Sequence, residues 1–297
     1  MHLSVLKKEI LEYLDPQPNQ NFIDCTINGG GHTSAILEKT RPEGRVLGIE
    51  ADKEIYRQLK LKTATQEIDF RRLVSVNDNF VNLRDVVEEK KFISVSGILF
   101  DLGFSSWHID QSGRGFSFGK EEFLDMRYSP EKEGITAWEI INKWPKENLK
   151  MIFKDYGEER FSGRIAEKIT EERKKGKINT TLELVETIKK AVPPRFQKGR
   201  IHFATRVFQG LRIEVNDELE NLKKVLPQAI NLLRPGGKVA VISFHSLEDR
   251  IVKHFFKDCF RENKAEILTK KPVTAGEEEI KNNPRSRSAK LRVIKII

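Results

Sequence analysis

Three carboxylates each close a short apolar run: Asp24 after NFI, Glu50 after RVLGI and Asp101 after GILF. If the runs are strands of one parallel sheet, all three acids arrive at the same sheet edge, where open α/β sheets bind ligands. Between the first two lies Gly29-Gly30-Gly31-His32. Glycines there let the backbone come close to a ligand. An acid roughly 20 residues past the last glycine accepts from the ribose hydroxyls of an adenosine. Two adenosine cofactors fit this arrangement. A dinucleotide brings a pyrophosphate and uses G-x-G-x-x-G/A, which Gly29-x-Gly31-x-x-Ser34 matches in part. S-adenosylmethionine brings a sulfonium and an ammonium, which carboxylates attract. Its acid-x-Gly-x-Gly-x-Gly pattern appears in degenerate form as Asp24-x-Thr26-x-Asn28-x-Gly30. A purely structural turn is the third reading. The three acids favour the cationic ligand. His32 reads as a turn or cap residue, and no metal is expected, since no second His or Cys lies at zinc spacing.

The third acid opens Asp101-Leu102-Gly103-Phe104. Enzymes that methylate exocyclic amines of bases carry an acid-Pro-Pro-aromatic loop here. The amine lone pair is delocalised into the ring, so acceptors must bind its N–H groups while an aromatic face holds the base out of its stack. This chain has the acid and the aromatic but neither proline. The competing reading is a strand end with Phe104 in the core. His245, at the end of KVAVISF, belongs to the same edge, either as a proton acceptor or as a cap beside Ser246.

Strand-like runs at 21–24, 45–50, 72–76 and 92–100 alternate with helical patterns at 33–39 and 53–62. That alternation argues for a parallel sheet. Four helical patterns then follow in a row, at 136–144, 146–156, 158–175 and 181–192. The third carries Phe161, Ile165 and Ile169 on one stripe, the fourth Leu182, Val185, Ile188 and Val192. They predict an inserted helical subdomain. Alternation then resumes. Residues 206–226 are helical with a break near Asn216, Asp217-x-x-Glu220 resembles a capping box, and Pro227 suits the first turn of a new segment. RPGG reads as a turn, 238–244 as a strand, and Ser246-x-x-Asp249 as the cap of a helix over 247–256. Strands are expected at 265–269 and 289–297, and the polar 274–288 as a mobile loop.

With 38% hydrophobic and 33% charged residues, the chain has the composition of a soluble globular protein. No apolar run approaches the ~18 residues that span a bilayer, so no membrane is expected. The opening MHLSVLKKEILEYLD carries charges among its apolar positions and does not read as a secretory signal. Cys25 and Cys259 alone give no disulfide framework, which fits a cytoplasmic location. The formal charge of +9 makes nucleic acid the first partner to consider.

Taken in order, HLSVL, FIDCTINGGGHTSAIL, GILFDLGFSSWHID, GRGFSF with LDMR, YGEERFSGRIA, RVFQGLRIEVNDELE, LRPGGKVAVISFHSLEDRIVK and NPRSRSAKLRVI resemble the ribosomal RNA small-subunit methyltransferase H family, also called MraW. The likeness covers nearly the whole chain. It implies an α/β fold, a Rossmann-like class I methyltransferase sheet with an inserted all-helical subdomain. The core would span 1–110 and 207–297, and the substrate-recognition insertion 111–206. It implies methyl transfer from S-adenosylmethionine to N4 of a cytidine in 16S ribosomal RNA, at the decoding site of the small subunit. Implied cofactor contacts are Gly30, Gly31, His32, Glu50, Phe80 and Asp101. His108 stands where the family has a glutamine, so its contact is the least secured, and Trp107 and Phe104 also depart from the family pattern.

Asp101 is the catalytic candidate, accepting from the cytosine amine. Arg114, Arg127, Arg164, Arg206, Arg285 and Arg287 are candidates for RNA contact. Arg195, Lys198 and Arg200 form a cluster in PPRFQKGR with the same expected role. A dinucleotide oxidoreductase and a non-catalytic RNA-binding assembly factor remain as alternatives. The oligomeric state stays open, a homodimer included.

Overall fold

In the computed structural model, which describes residues 4–64, 70–199 and 201–297, the chain forms two compact units. One comprises Met1–Gly103 with Leu219–Ile297, the other Phe104–Glu218. The first unit begins with α1 (Lys7–Leu14), β1 (Asn21–Asp24), α2 (Gly31–Lys39), β2 (Val46–Glu50), α3 (Lys53–Ala64), β3 (Leu73–Asn77), α4 (Leu83–Glu89) and β4 (Val95–Asp101). The second holds α5 (Ser106–Asp110), α6 (Ala137–Lys143), α7 (Lys146–Asp155), α8 (Ser162–Lys175), α9 (Thr181–Ala191) and α10 (Thr205–Asn216). The chain then returns through α11 (Glu218–Leu232), β5 (Leu233–Ser243), α12 (Ser246–Arg261), β6 (Ala265–Ile267), α13 (Glu277–Asn282) and β7 (Lys290–Ile296).

The seven strands form one sheet in the order β3-β2-β1-β4-β5-β7-β6. β1 to β5 run parallel, whereas β7 is antiparallel to both β5 and β6. Strand order reverses between β1 and β4, which places a ligand crevice at their carboxyl ends. β1, β2 and β4 are buried along almost their whole length, as parallel strands covered on both faces must be. Leu83, Val86, Leu222, Val225, Val252 and Phe256 from α4, α11 and α12 cover one face. Leu6 and the helices α1, α2 and α3 cover the other through Ile10, Leu14, Ile36 and Leu59. This is a Rossmann-like, doubly wound sheet with an antiparallel strand near one edge, the α/β architecture expected from the sequence.

The helical unit has its own core, in which Leu149, Ile152, Phe153, Ile165, Ile169, Leu184 and Ile188 are buried. α6 and α9 open with capping boxes, Thr136 with Glu139 and Thr180 with Glu183. α7 and α10 approach closely because glycine occupies the contact. A Cβ on Gly210 would meet the Ile152 carbonyl oxygen at 2.9 Å, and one on Gly157 would meet that of Arg206 at 2.4 Å. The unit extends beyond 111–206 at both ends. Phe104 stacks near Phe116, the Arg212 guanidinium lies over Phe104, and Arg212 pairs with Glu218.

Several local expectations are corrected. Of the stripe expected on α9, Val185, Ile188 and Val192 are buried, whereas Leu182 is 39% exposed and Leu184 takes the core position. Asp217 is no N-cap: it adopts a left-handed conformation that closes α10, and Pro227 lies inside α11. β5 begins at Leu233, but its pairing with β4 jumps from Leu233 to Lys238 and Gly236 takes φ 78°, so RPGG turns out of the ladder as expected. Residues 274–288 are not a loop throughout. They hold α13 and a 3-10 turn over Pro284–Ser288 with Ser286 fully buried. Among the described residues, no helix is long and apolar enough to cross a membrane.

Candidate active site at the carboxyl ends of the strands

The turn after β1 is built by its own side chains. Asp24 is buried, and its Oδ1 accepts from the Thr26 N–H while its Oδ2 accepts from the Thr33 hydroxyl. The Thr26 hydroxyl oxygen accepts in turn from the Asp101 N–H at 2.7 Å, tying the end of β4 to the glycine turn. Asn28 and Gly30 both take positive φ, 46° and 79°. That sharp turn starts α2 at Gly31 with no side chain capping it. The first N–H groups of α2 thus lack the usual capping oxygen. A Cβ on Gly31 would fall 2.1 Å from the Ser4 Oγ, so a larger residue there requires the serine side chain to turn aside.

Glu50 ends β2 and fixes two loops. Its Oε2 accepts from the Asn28 N–H at 3.0 Å and its Oε1 from the Asp52 N–H at 2.9 Å. Each carboxylate oxygen retains a further lone pair. Burial pushes the Glu50 pKa up to about 8, outweighing the lowering by these donors. Burial likewise raises the Asp24 carboxyl against the opposing pull of His32 and Thr33. Asp24, like Glu50, gives each oxygen to one donor, and all three acids stand at the carboxyl ends of their strands.

His32 and Asp101 supply the unmet valences. Both His32 ring nitrogens and Asp101 Oδ1 are buried without a hydrogen-bond partner among the described residues. His32 Nε2 stands 3.6 Å from Asp101 Oδ2. Buried polar atoms left this way point to a ligand that completes them. Phe80 sits edge-on to Phe100, with ring centroids 6.0 Å apart, beside the Asp101 end of β4. The segments at the carboxyl ends of β1 to β4 thus carry Gly30, Gly31, His32, Glu50, Phe80 and Asp101. Glycine backbone, a carboxylate with spare lone pairs, an imidazole and an aromatic edge suit an adenosine carrying a cationic tail. A pyrophosphate at the glycine turn would instead stand near Asp101, whose N–H is tied to that turn through Thr26, which disfavours the dinucleotide reading. S-adenosylmethionine fits the residues present.

The other expected residues have partners of their own. His108 belongs to the helical unit, where its Nδ1 accepts from the Ser105 N–H and its ring packs against Phe116 and Tyr128. His245 takes the capping role: its Nδ1 accepts from the Glu248 N–H at the start of α12. Asp249, expected as part of that cap, instead binds Arg292 through two hydrogen bonds. Cys25 is buried with its thiol pushed well above the ordinary range by burial, so it is no nucleophile.

Among the basic candidates, Arg127 makes two hydrogen bonds to Asp125, and Arg114 donates to the Tyr128 carbonyl while lying over Trp107. Arg206 donates to the Glu158 carbonyl. Arg285 and Arg287 are exposed on the Pro284–Ser288 turn, and Arg164 is exposed on α8. Arg195 and Lys198 are exposed, and Arg200 lies outside the described residues. Thr26 is the residue that sequence reasoning missed. Its place two residues past Asp24 is the signal that could have found it, since a hydroxyl there can bridge two strand ends.

The chain is similar to known proteins along its whole length. The sequence profile of the MraW methylase family matches residues 1–297. The ribosomal RNA small subunit methyltransferase H of Sulfurihydrogenibium sp. (strain YO3AOP1) is 46% identical, covering 98% of this chain and 98% of its own. That of Persephonella marina (strain DSM 14350 / EX-H1) is 45% identical over 100% of this chain and 99% of its own. That of Clostridium botulinum (strain Loch Maree / Type A3) is 42% identical with the same coverage. Among solved structures, an rRNA methylase from Streptococcus thermophilus superposes with a TM-score of 0.47 at 7% identity, covering 100% of this chain and 99% of that one. Matched from its first residue to its last, the chain belongs to the MraW methylase family.

Proposed function

We propose that this protein methylates N4 of a cytidine at the decoding site of 16S ribosomal RNA within the small ribosomal subunit. At the coarser level it is an S-adenosylmethionine-dependent ribosomal RNA methyltransferase, as its family membership supports. The observation that carries the site assignment is the pair of buried, unsatisfied groups on His32 and Asp101 at the sheet's switch point.

S-adenosylmethionine supplies a methyl group on a sulfonium, which leaves readily. The protein therefore mainly positions and desolvates. Glu50 accepts from the ribose hydroxyls with the lone pairs its loop contacts leave free. Gly30 and Gly31 bring backbone against the ligand, and Phe80 flanks the adenosine. His32 offers a ring nitrogen on the same side. Asp101 accepts from the cytosine amine through Oδ1 and orients the lone pair for attack. A strong base is not required beforehand, because that proton turns acidic only once the new bond forms.

In this reading the helical unit recognises the RNA, with Arg195, Lys198 and Arg200 as its cluster of choice and Arg206 as a further phosphate contact, while Arg285 and Arg287 offer phosphate contacts from the sheet unit. Arg114 and Arg127 hold their own loop first. The location is the cytoplasm, where ribosomal subunits assemble. The test is methyl incorporation from labelled S-adenosylmethionine into 30S subunits and into naked 16S RNA, followed by mapping of the modified nucleotide. A label found at one cytidine N4 supports the assignment. Incorporation at another atom, or none into either substrate, sinks it.

A further inference from the structure

The helical unit contains a pocket of about 210 Å3 between the loop that follows α7, the turn Pro194–Phe196 and the start of α10. Phe161 and Phe196 form its apolar wall, their ring centroids 5.2 Å apart. The Arg160 guanidinium lies 3.9 Å from the Phe196 ring centroid and 5.0 Å from that of Phe161, and Arg195 lies 4.8 Å from Phe196. Lys198 completes the rim. Among the described residues no carboxylate pairs with Arg160, Arg195 or Lys198. The one carboxylate lining the pocket, Glu159, is buried and accepts the Phe161 N–H through Oε1.

The walls are fixed before any ligand arrives. The Gln197 side-chain amide donates to the Lys189 and Val192 carbonyls, tying the Pro194–Phe196 turn to the end of α9. Arg206 donates to the Glu158 carbonyl across the pocket floor. A guanidinium stacked on a ring keeps its in-plane N–H groups turned outward, a fork that matches phosphate oxygens. An aromatic face beside it takes a base of any sequence. A single strand, whose bases can splay out of the stack, offers both groups side by side.

We infer that this pocket binds one phosphodiester group of single-stranded RNA together with its flanking base. The inference rests on the ribosomal RNA reading above and adds Arg160 and Phe196 to it. The test is fluorescence anisotropy with a labelled single-stranded RNA oligonucleotide, repeated from about 50 to 200 mM salt. The double variant Arg160→Gln/Arg195→Gln weakens binding and reduces the slope of log K against log salt by about 0.7, the value for one lost phosphate on a single strand. Phe196→Leu keeps every charge, so it weakens binding and leaves the slope alone. In both variants S-adenosylhomocysteine binding and melting temperature stay at the wild-type values, which reports an intact fold.

A double variant that binds with unchanged slope and affinity, while wild type binds the oligonucleotide, overturns the pocket and leaves the methyltransferase reading standing. Displacement of the oligonucleotide by equimolar inorganic phosphate would make a free anion the ligand and overturn the RNA assignment. Wild-type protein that neither binds RNA nor methylates it removes both.

Discussion

His32 Nε2 lies 3.6 Å from Asp101 Oδ2, just beyond hydrogen-bond reach, and both side chains are nearly closed to solvent. Neither is held by the other, so each is positioned from its own element. His32 rides on the first turn of α2, and Asp101 is fixed through its N–H to the Thr26 hydroxyl. Two polar groups brought this close and left unsatisfied are preorganised for something that fits between or beside them.

The two should separate by kinetics. Asp101→Ala removes the acceptor for the amine, and kcat falls roughly a hundredfold or more. RNA affinity and its salt dependence stay as in wild type. His32→Ala instead weakens S-adenosylhomocysteine binding, by about 1–2 kcal/mol if one hydrogen bond to a buried group is lost. Near-normal turnover in Asp101→Ala, with RNA still bound, would remove Asp101 from the mechanism.

Glu50 links cofactor binding to pH. Its folded pKa of about 8 lies above the ordinary 4.5, so between those values the folded chain keeps a proton that the unfolded chain has lost. Stability from this group is complete below pH 4.5 and is lost as pH rises through 8. Ribose hydroxyls donating to the carboxylate favour its charged form. Binding S-adenosylhomocysteine near pH 7 therefore expels a proton. Calorimetry in buffers of different ionisation enthalpy should record that release, and affinity should rise from pH 6 to 8. Glu50→Gln abolishes both effects. A binding enthalpy that is the same in every buffer contradicts the account.

The positions of Asp24, Glu50 and Asp101 are legible in the sequence because each ends an apolar run, and parallel strands deliver their ends to one edge. What each carboxylate does there is not legible. Asp24 accepts from the Thr26 N–H and the Thr33 hydroxyl, partners set by the geometry of a turn whose Asn28 takes a left-handed conformation. The α12 cap is displaced by one residue, since His245 accepts the backbone N–H that a serine would usually take. Composition hides the order of 274–288, because the burial of Ser286 depends on tertiary neighbours. The helical insertion is visible from its 3.6-residue period. Its ends are not, because the contacts of Phe104 and Arg212 that extend it are long-range.

Arg127 provides a control for the RNA reading. Its Nε and Nη2 donate to the two oxygens of Asp125, and both side chains are largely buried. Arg127→Ala should cost about 1 kcal/mol or somewhat more of stability, the range for a two-pronged pair shielded from water. It should leave the salt slope of RNA binding unchanged. Thermal unfolding together with RNA titrations at several salt concentrations measures both. A reduced slope with an unaltered melting temperature would return Arg127 to the RNA surface.

Gly157 tests how the helical unit holds its shape. A Cβ there would lie 2.4 Å from the Arg206 carbonyl oxygen and 2.6 Å from that of Phe153, and neither backbone atom can swing aside as a flexible side chain does. Gly157→Ala must therefore push α10 away from the end of α7, at a cost of about 1–3 kcal/mol. The melting temperature of the helical unit drops by several degrees as a result. The cofactor crevice is built entirely from residues of the other unit, so S-adenosylhomocysteine affinity at 25 °C stays within about twofold, a change well under 1 kcal/mol. The Arg206 side chain reaches the Glu158 carbonyl next to Gly157, so single-stranded RNA binding weakens with the same substitution. A variant that melts with wild type would show that the two helices tolerate a wider separation and that glycine at 157 has another reason.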